Sequence, residues 1–325
     1  MIRDSININD IKKIFSNKKQ KIKYLNEMYN ILGVVKTIPK SIDDIDNEII
    51  SSWKYEISTK IIRDLFKESD KYKSGKSSDK ALKEMMKQWK DLNLGVFDWP
   101  FYPNAFDQHI HSINVDKSLS EIGKDEKVKE EVVRFRRIKK INTARNDYIE
   151  YLIVENNSHV TPTLKHNRGV DFYINGCSFD QKVSRSVTKN FINDFGPNWK
   201  DKAIKNPGLV AEYLYKYQDE ARFGCESRLL IVYLDEDITN KDIENCVVHT
   251  DFKEPKHISF EYEHSNGEVK KYDVDCYIIL LSKWKNHFLW FFICGNILPT
   301  LLLCILFFLL FLVFVLWFLL VFLFF

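Results

Sequence analysis

Two aspartates and a lysine flank an Asn-Gly dipeptide within residues 169–183. Asp171 precedes Asn175-Gly176, and Asp180 and Lys182 follow it. Asn-Gly between two runs of β-forming residues is the strongest short-range signal of a hairpin with a two-residue type I′ turn. Counting outward from this turn, Asp171 is paired directly with Asp180, and Lys182 projects from the same face of the hairpin.

Two opposed carboxylates with an ammonium group on the same face could bind a divalent cation. The Cβ atoms of directly opposed residues are only about 4.5–5.5 Å apart, and like charges at that distance destabilise a sheet. A divalent cation would remove this repulsion, and Mg²⁺ is the natural candidate because it binds through one or two carboxylates and keeps several waters. The alternative is a solvated strand face on which Asp180 and Lys182 form a surface ion pair of little energetic value.

The other residues of the hairpin support this register. The face opposite the two acids carries apolar residues, namely Val170, Phe172, Ile174, Cys177, Phe179 and Val183. A slip of one residue would exchange the two faces, so burial of the apolar face would fix the register.

The pattern of Asp171 followed by Asp180-Gln181-Lys182 resembles the motif of the PD-(D/E)XK nuclease superfamily, which has the restriction-endonuclease-like fold. The resemblance covers about residues 140–235, and Val170 stands where the family often has proline. It implies a Mg²⁺-dependent endonuclease in which Asp171 and Asp180 bind the metal and Lys182 positions and activates the attacking water. The expected substrate is double-stranded DNA, the expected class is a type II restriction endonuclease, and enzymes of this kind often act as homodimers.

The family usually supplies another acid from a helix that precedes the hairpin, and residues 142–155 predict such a helix. Asn142 or Thr143 could cap it, and the apolar residues recur at a spacing of three to four, namely Ala144, Tyr148, Tyr151 and Leu152. Glu150 is the acid expected to act in catalysis and to bind the metal, and Glu155 is the alternative. Either acid could instead be a solvated side chain on the helix surface.

Charge gives a local indication of nucleic-acid binding but no global one. The chain has 48 basic and 45 acidic residues, so its net charge is only +3. Basic residues nevertheless cluster before the predicted catalytic helix, where they could contact phosphates or form an ordinary solvated helix face. The residues expected to contact DNA are Arg137, Lys139, Lys140, Arg145, Arg168, Ser184 and Arg185.

Changes in sequence pattern divide the chain into three segments. Residues 1–137 are predicted to be mainly helical, with a polar break at 71–79, and could recognise DNA. Residues 138–286 form the predicted nuclease core, an α/β fold with a central mixed β-sheet flanked by helices. Its further elements are a helix that begins at Asn206-Pro207, a buried strand at 228–235 and a second hairpin around Asn266-Gly267.

The third segment, residues 287–325, is a hydrophobic tail. Residues 301–325 comprise 11 Leu, 8 Phe, 3 Val and one each of Ile, Trp and Cys. As a helix they would extend about 38 Å, enough to cross a hydrocarbon core of about 30 Å. The tail is therefore either a C-terminal transmembrane helix or a reading-frame artefact, because T-rich DNA read out of frame encodes Phe, Leu, Val and Ile.

The expected location is the cytoplasm, with a membrane anchor through residues 300–325 if the span is genuine. The six cysteines are scattered without a CxxC pair, and the N-terminus has no signal-peptide pattern. Two other functions stay open: a non-catalytic, membrane-anchored interaction protein, and a repair or mobile-element nuclease of the same superfamily.

Overall fold

A six-stranded mixed β-sheet flanked by helices forms the centre of the computed structural model, which describes residues 5–91, 103–165, 169–218, 220, 223–235 and 238–283. The strand order is β1-β2-β3-β4-β6-β5. The β1–β2, β2–β3 and β5–β6 pairs are antiparallel, whereas β3–β4 and β4–β6 are parallel. The strands are β1 Val160–Pro162, β2 Phe172–Ile174, β3 Cys177–Ser184, β4 Arg228–Tyr233, β5 Lys256–Glu263 and β6 Val269–Leu281. The predicted α/β fold with a central mixed sheet flanked by helices is confirmed.

Helices make up most of the chain before the sheet. They are α1 Ile8–Ile14, α2 Lys18–Leu32, α3 Ile42–Ser52, α4 Tyr55–Lys67, α5 Asp70–Asp91, α6 Pro103–Val115 and α7 Glu121–Asn156. Four shorter helices lie between the later strands: α8 Lys189–Phe195, α9 Trp199–Lys205, α10 Pro207–Lys216 and α11 Asn240–Val248. The predicted start of α10 is confirmed, because the Asn206 side chain accepts a hydrogen bond from the Leu209 N–H and Pro207 follows directly.

The sheet separates two hydrophobic cores. On one face, Leu229 and Ile231 of β4 pack in a core that includes α1 to α5 and α7. On the other face, Leu230 and Val232 pack in a core that includes α8 to α10. Because alternate side chains of a strand project to opposite faces, β4 is buried on both sides, as predicted for a central strand.

Both predicted Asn-Gly hairpins are present. Asn175 and Gly176 have φ values of 53° and 82°, and two positive φ angles are what a type I′ turn requires. The pairs Ile174–Cys177, Tyr173–Ser178 and Phe172–Phe179 give β2 and β3 the predicted register. In the second hairpin Gly267 has φ 81° and its N–H donates to the His264 carbonyl.

Helix α7 is longer than the sequence predicted. It starts at Glu121, where the Ser120 side chain caps it, so the predicted cap at Asn142 or Thr143 is wrong. The predicted boundary after residue 137 falls inside this helix, and residues up to Ser282 belong to one compact unit. Residues 121–137 lack a clear apolar stripe, and this is why the sequence pattern did not join them to residues 142–155 in one helix.

The predicted polar break at 71–79 is also wrong, because these residues form the first turns of α5. Helix α5 runs antiparallel to α7: Lys71 contacts Glu150, and Gln88 near its other end contacts Arg137. A Cβ atom on Gly75 would lie 2.5 Å from the Asp147 carbonyl oxygen, so the missing side chain permits this close approach. Tertiary packing therefore overrides the weak helix propensity of the Ser-Gly-Lys-Ser-Ser segment.

The predicted hydrophobic helix at residues 301–325 lies outside the described residues. Within the part of the chain that the structure describes, no helix is both long and apolar enough to cross a membrane.

Candidate active site at the β2–β3 hairpin

Asp171 lies directly before β2 and is held by three hydrogen bonds. Its N–H donates to the Phe179 carbonyl over 2.9 Å, and its carbonyl accepts from the Thr163 N–H over 3.1 Å. Its carboxylate Oδ2 accepts from the N–H of Gln181 over 2.8 Å. The carboxylate of Asp171 thus accepts a hydrogen bond from the backbone of β3 just beyond the last residue pair of the β2–β3 ladder.

Asp180 is the residue at which β3 changes its partner. Residues 177–179 pair with β2, whereas Asp180 starts the parallel ladder to β4, opposite Arg228. The Asp180 N–H accordingly donates to the Ser227 carbonyl over 3.2 Å. The direct ladder pair predicted between Asp171 and Asp180 is absent, because the Asp171 carbonyl accepts from Thr163 and the Gln181 N–H donates to the Asp171 side chain instead of its backbone.

Lys182 approaches the Asp180 carboxylate from the solvent side. Its Nζ lies 2.6 Å from Oδ2 of Asp180, as expected for two residues on the same strand face. The Asp180 side chain is only 7% exposed, whereas that of Lys182 is 52% exposed. A buried carboxylate is thus connected to the surface through a lysine that is accessible to a large substrate.

Glu150 on α7 is the acid that reaches this site from outside the hairpin. It is buried, and its pKa is raised to about 7, first by burial and further by the charges of Asp171 and Asp147. The charge of Lys71 acts in the opposite direction. Glu155, the alternative acid, is exposed and influences the pKa values of Arg63 and Tyr72 instead.

The pKa of Asp171 is also raised, mainly because its carboxylate is buried. The hydrogen bond from Gln181 and the charges of Lys71 and Lys182 lower it, whereas the charge of Asp180 raises it further. Asp171 is therefore coupled electrostatically to Glu150 of the helix and to Asp180 of the hairpin. Of the four predicted catalytic residues, Asp180 and Lys182 are in direct contact, whereas Asp171 is linked to Glu150 and to Asp180 through the effects of their charges.

Lys71 is the site residue that sequence reasoning missed. It is 8% exposed, and its Nζ forms an ion pair with Oε1 of Glu150. The signal was the spacing of the buried positions of α5, namely Lys71, Gly75, Ser78 and Leu82. A helical stripe that counts small residues together with apolar ones would have predicted this helix and hence the position of Lys71.

The donor atoms fit Mg²⁺ in type, although no complete metal site is assembled. Among the described residues, no group of three His, Cys, Asp or Glu side chains is arranged to hold a metal ion. The ammonium groups of Lys71 and Lys182 contact Glu150 and Asp180 respectively. Carboxylate oxygens are the ligands that Mg²⁺ prefers, and the adjacent Gln181 has a buried Oε1 without a hydrogen-bond partner.

The basic residues of α7 extend away from Glu150 along the helix. Lys139 and Lys140 are exposed, whereas Arg137 and Arg145 are half-buried. The Nη1 of Arg137 donates to Gln88 of α5 over 3.3 Å, and the charge of Arg145 acts on Tyr233 of β4. Lys139 lies eleven residues before Glu150, about 16 Å along the axis and on the same helix face.

The two residues near the end of β3 that were predicted to contact DNA are at least partly exposed. Ser184 Oγ donates to the Ser186 carbonyl over 2.6 Å, and Arg185 is exposed. Arg168 lies outside the described residues.

A cavity of about 500 Å³ lies away from these residues, between α4 and residues 158–159. Tyr55, Arg63 and His159 line part of it, and none of the four predicted catalytic residues does. The candidate site is therefore a buried acidic cluster with an exposed lysine rather than a deep pocket.

Comparisons with protein-family models, with curated proteins and with solved structures give no match to this chain.

Proposed function

We propose that this chain is a Mg²⁺-dependent endonuclease that hydrolyses phosphodiester bonds of double-stranded DNA, a type II restriction endonuclease with a PD-(D/E)XK core. The observation that carries the proposal is the contact between Asp180 and Lys182 beside Asp171, whose carboxylate accepts from the Gln181 N–H and is coupled electrostatically to Glu150. The order of helix, β-hairpin, helices and parallel strand agrees with the resemblance.

The three acids have the chemistry required to hold the metal. Asp171 and Asp180 would bind Mg²⁺ with Glu150 as a further ligand, and the bound ion would lower the pKa of a water and offset charge on the phosphate. Lys182 would contact the phosphate and orient the attacking water, since its ammonium is exposed yet adjoins Asp180. Glu150 and Asp180 are buried, whereas Asp171 is half-buried.

Substrate binding would involve the basic residues around this centre. Lys139 and Lys140 on α7 and Arg185 after β3 are exposed and suited to contacts with DNA phosphates. A single centre cuts one strand at a time, so cleavage of both strands would use two copies of the chain as a homodimer.

The test is cleavage of plasmid and genomic DNA of varied sequence by the full-length protein with Mg²⁺ or Mn²⁺. Asp180→Ala and Lys182→Met are expected to abolish cleavage, because each removes a group at the proposed reaction centre. Asp201→Ala and Lys189→Met are the matched controls, since both residues are exposed and outside the site. The controls should cleave at the rate of the unsubstituted protein.

Two outcomes would contradict the proposal. Equal cleavage by Asp180→Ala would show that another centre is responsible. Absence of cleavage by the unsubstituted protein on every DNA and with both metals would favour a non-catalytic interaction protein.

A further inference from the structure

Lys71 is a buried cation inside the acidic cluster. Its ammonium pairs with Glu150 Oε1, and neither atom has another hydrogen-bond partner among the described residues. A buried charge without a partner is strongly unfavourable, so the lysine and the glutamate each depend on the other.

The position of Lys71 is fixed by the packing of α5 on α7. One turn after Lys71, Ser74 Oγ donates to Asp147 Oδ2 over 2.8 Å. Gly75 lies so close to α7 that an added Cβ would be 2.5 Å from the Asp147 carbonyl oxygen and 2.6 Å from the Tyr151 Cβ. This stretch of α5 therefore holds the lysine in one place.

The charge of Lys71 compensates more than one acid. Lys71 contacts Glu150 directly, and its charge also acts on Asp171. Lys182 neutralises Asp180 from the surface, where solvent screens it. Lys71 thus pairs with Glu150 in the interior as Lys182 pairs with Asp180 at the surface. The Glu150 oxygen that Lys71 contacts is one that a metal ion would bind.

We propose that Lys71 is a positioning residue that balances Glu150 and Asp171 in the metal-free protein, and that a divalent cation binds by displacing its ammonium group. The inference rests on the proposed function only in taking these carboxylates as metal ligands. A metal ion and an ammonium group that approach the same buried carboxylate repel each other, so the two compete. This competition weakens metal binding but keeps the acids folded and in position without metal.

The experiment compares the full-length protein with Lys71→Met, which keeps most of the side-chain volume and removes the charge. In EDTA the variant is expected to melt about 5–10 °C lower, because the buried acids lose their counter-charge. Mg²⁺ should restore most of this loss. Calorimetric titration should show at least about tenfold tighter Mg²⁺ binding by the variant, because no ammonium group has to be displaced.

Lys76→Met is the matched control, since Lys76 lies on the same helix and is exposed. It should leave the melting temperature and the Mg²⁺ affinity unchanged. Equal Mg²⁺ affinity in Lys71→Met and the unsubstituted protein would overturn the inference, as would a loss of stability that Mg²⁺ does not restore.

A second measurement is made on the unsubstituted protein and uses a variant that keeps the positive charge only to assign the signal. In the unsubstituted protein, the NMR signal of the Lys71 ε-methylene group, assigned by its loss in Lys71→Arg, should shift on addition of Mg²⁺. The signal of Lys76 should stay in place. A stationary Lys71 signal at saturating Mg²⁺ would contradict displacement.

These readouts are independent of DNA cleavage. Competition between Mg²⁺ and Lys71 without cleavage would refute the proposed function alone. Cleavage with unchanged metal binding in Lys71→Met would refute the role of Lys71 alone.

Discussion

The β2–β3 and β5–β6 hairpins carry similar polar residues in different surroundings. Each has an Asn-Gly dipeptide in its turn region and two aspartates near a basic side chain. In the first hairpin these are Asp171, Asp180 and Lys182. In the second, Asp273 and Asp275 lie on β6, and the register places His257 of β5 directly opposite Asp275.

The electrostatic consequences are opposite in the two hairpins. Burial raises the pKa of Asp171, whereas a hydrogen bond from Ser259 Oγ lowers the pKa of exposed Asp273. The His257 Nδ1 is 3.1 Å from Asp275 Oδ1, and both side chains are more than half exposed. Surface pairs of this kind contribute little to stability. Because these carboxylates are exposed to solvent, they need no bound cation to offset their charge.

Similar residue spacing is therefore not sufficient to make a site. What distinguishes the first hairpin is the cover provided by α5 and α7, which bring Lys71 and Glu150 to its acids. Desolvation then makes the charge state of each carboxylate energetically important.

The largest expected difference between the hairpins is in catalysis. Asp171→Asn should lower the single-turnover rate of DNA cleavage about 10²–10³-fold, since it removes a charge that the reaction centre needs. The asparagine side chain retains an oxygen that can accept the hydrogen bond from Gln181, so the fold is expected to persist. Asp275→Asn in the exposed hairpin is the control and should cleave within about twofold of the unsubstituted rate. Equal losses of cleavage rate in Asp171→Asn and Asp275→Asn would show that the two hairpins do not differ in catalysis.

The next expected difference is in the pH dependence of stability without divalent metal. The pKa of Glu150 rises from 4.5 to about 7 on folding, so the folded state binds this proton more tightly than the unfolded state. The free energy of unfolding should then fall by up to about 3 kcal/mol as pH rises from about 4.5 to about 7, and Glu150→Gln should lack this decrease.

Asp273 should behave with the opposite sign. Its lowered pKa adds stability that is present above pH 3.8 and is lost as pH falls below that value, and Asp273→Asn should remove this acid-side loss. Urea denaturation of both variants in EDTA from pH 3 to 8 measures the two slopes. If the free energy of unfolding of Glu150→Gln changed with pH as that of the unsubstituted protein does, the raised pKa of Glu150 would be contradicted.

The smallest expected effect concerns the close packing of α5 on α7. Gly75→Ala should destabilise the protein by about 1–3 kcal/mol, because its Cβ would collide with α7. Gly123→Ala is the control: Gly123 lies in the first turn of α7, where an added Cβ would find its nearest atom 3.4 Å away. That control should be neutral or slightly stabilising in urea denaturation, since alanine favours helix. Equal stability of the two variants would show that the α5–α7 contact tolerates a side chain.

Local signals predicted much of the fold. Asn175-Gly176 specified a turn that needs positive φ, and the turn specified the β2–β3 register. The uninterrupted apolar run of β4 and the Asn206-Pro207 start of α10 were likewise readable, since each depends on residues close together in the chain.

Other features depend on contacts between distant segments. The Asp171–Asp180 ladder pair was predicted from the turn alone, but the Asp171 carbonyl accepts from Thr163 and its carboxylate takes the place of a backbone acceptor for the Gln181 N–H, so the ladder ends at Phe179. Lys71 lies in a segment whose composition favours a loop, and it is helical because Gly75 fits against Asp147 more than seventy residues later.

The sequence by itself determined the hairpin, its register near the turn and the shared face of Asp180 and Lys182, because these follow from backbone geometry over a few residues. Only the tertiary structure decided that the acids of this hairpin, unlike Asp273 and Asp275 of the β5–β6 hairpin, are coupled to Lys71 of α5 and Glu150 of α7. Burial depends on how distant helices pack, and burial raises the pKa values of Glu150 and Asp171 and makes Lys71 part of the site.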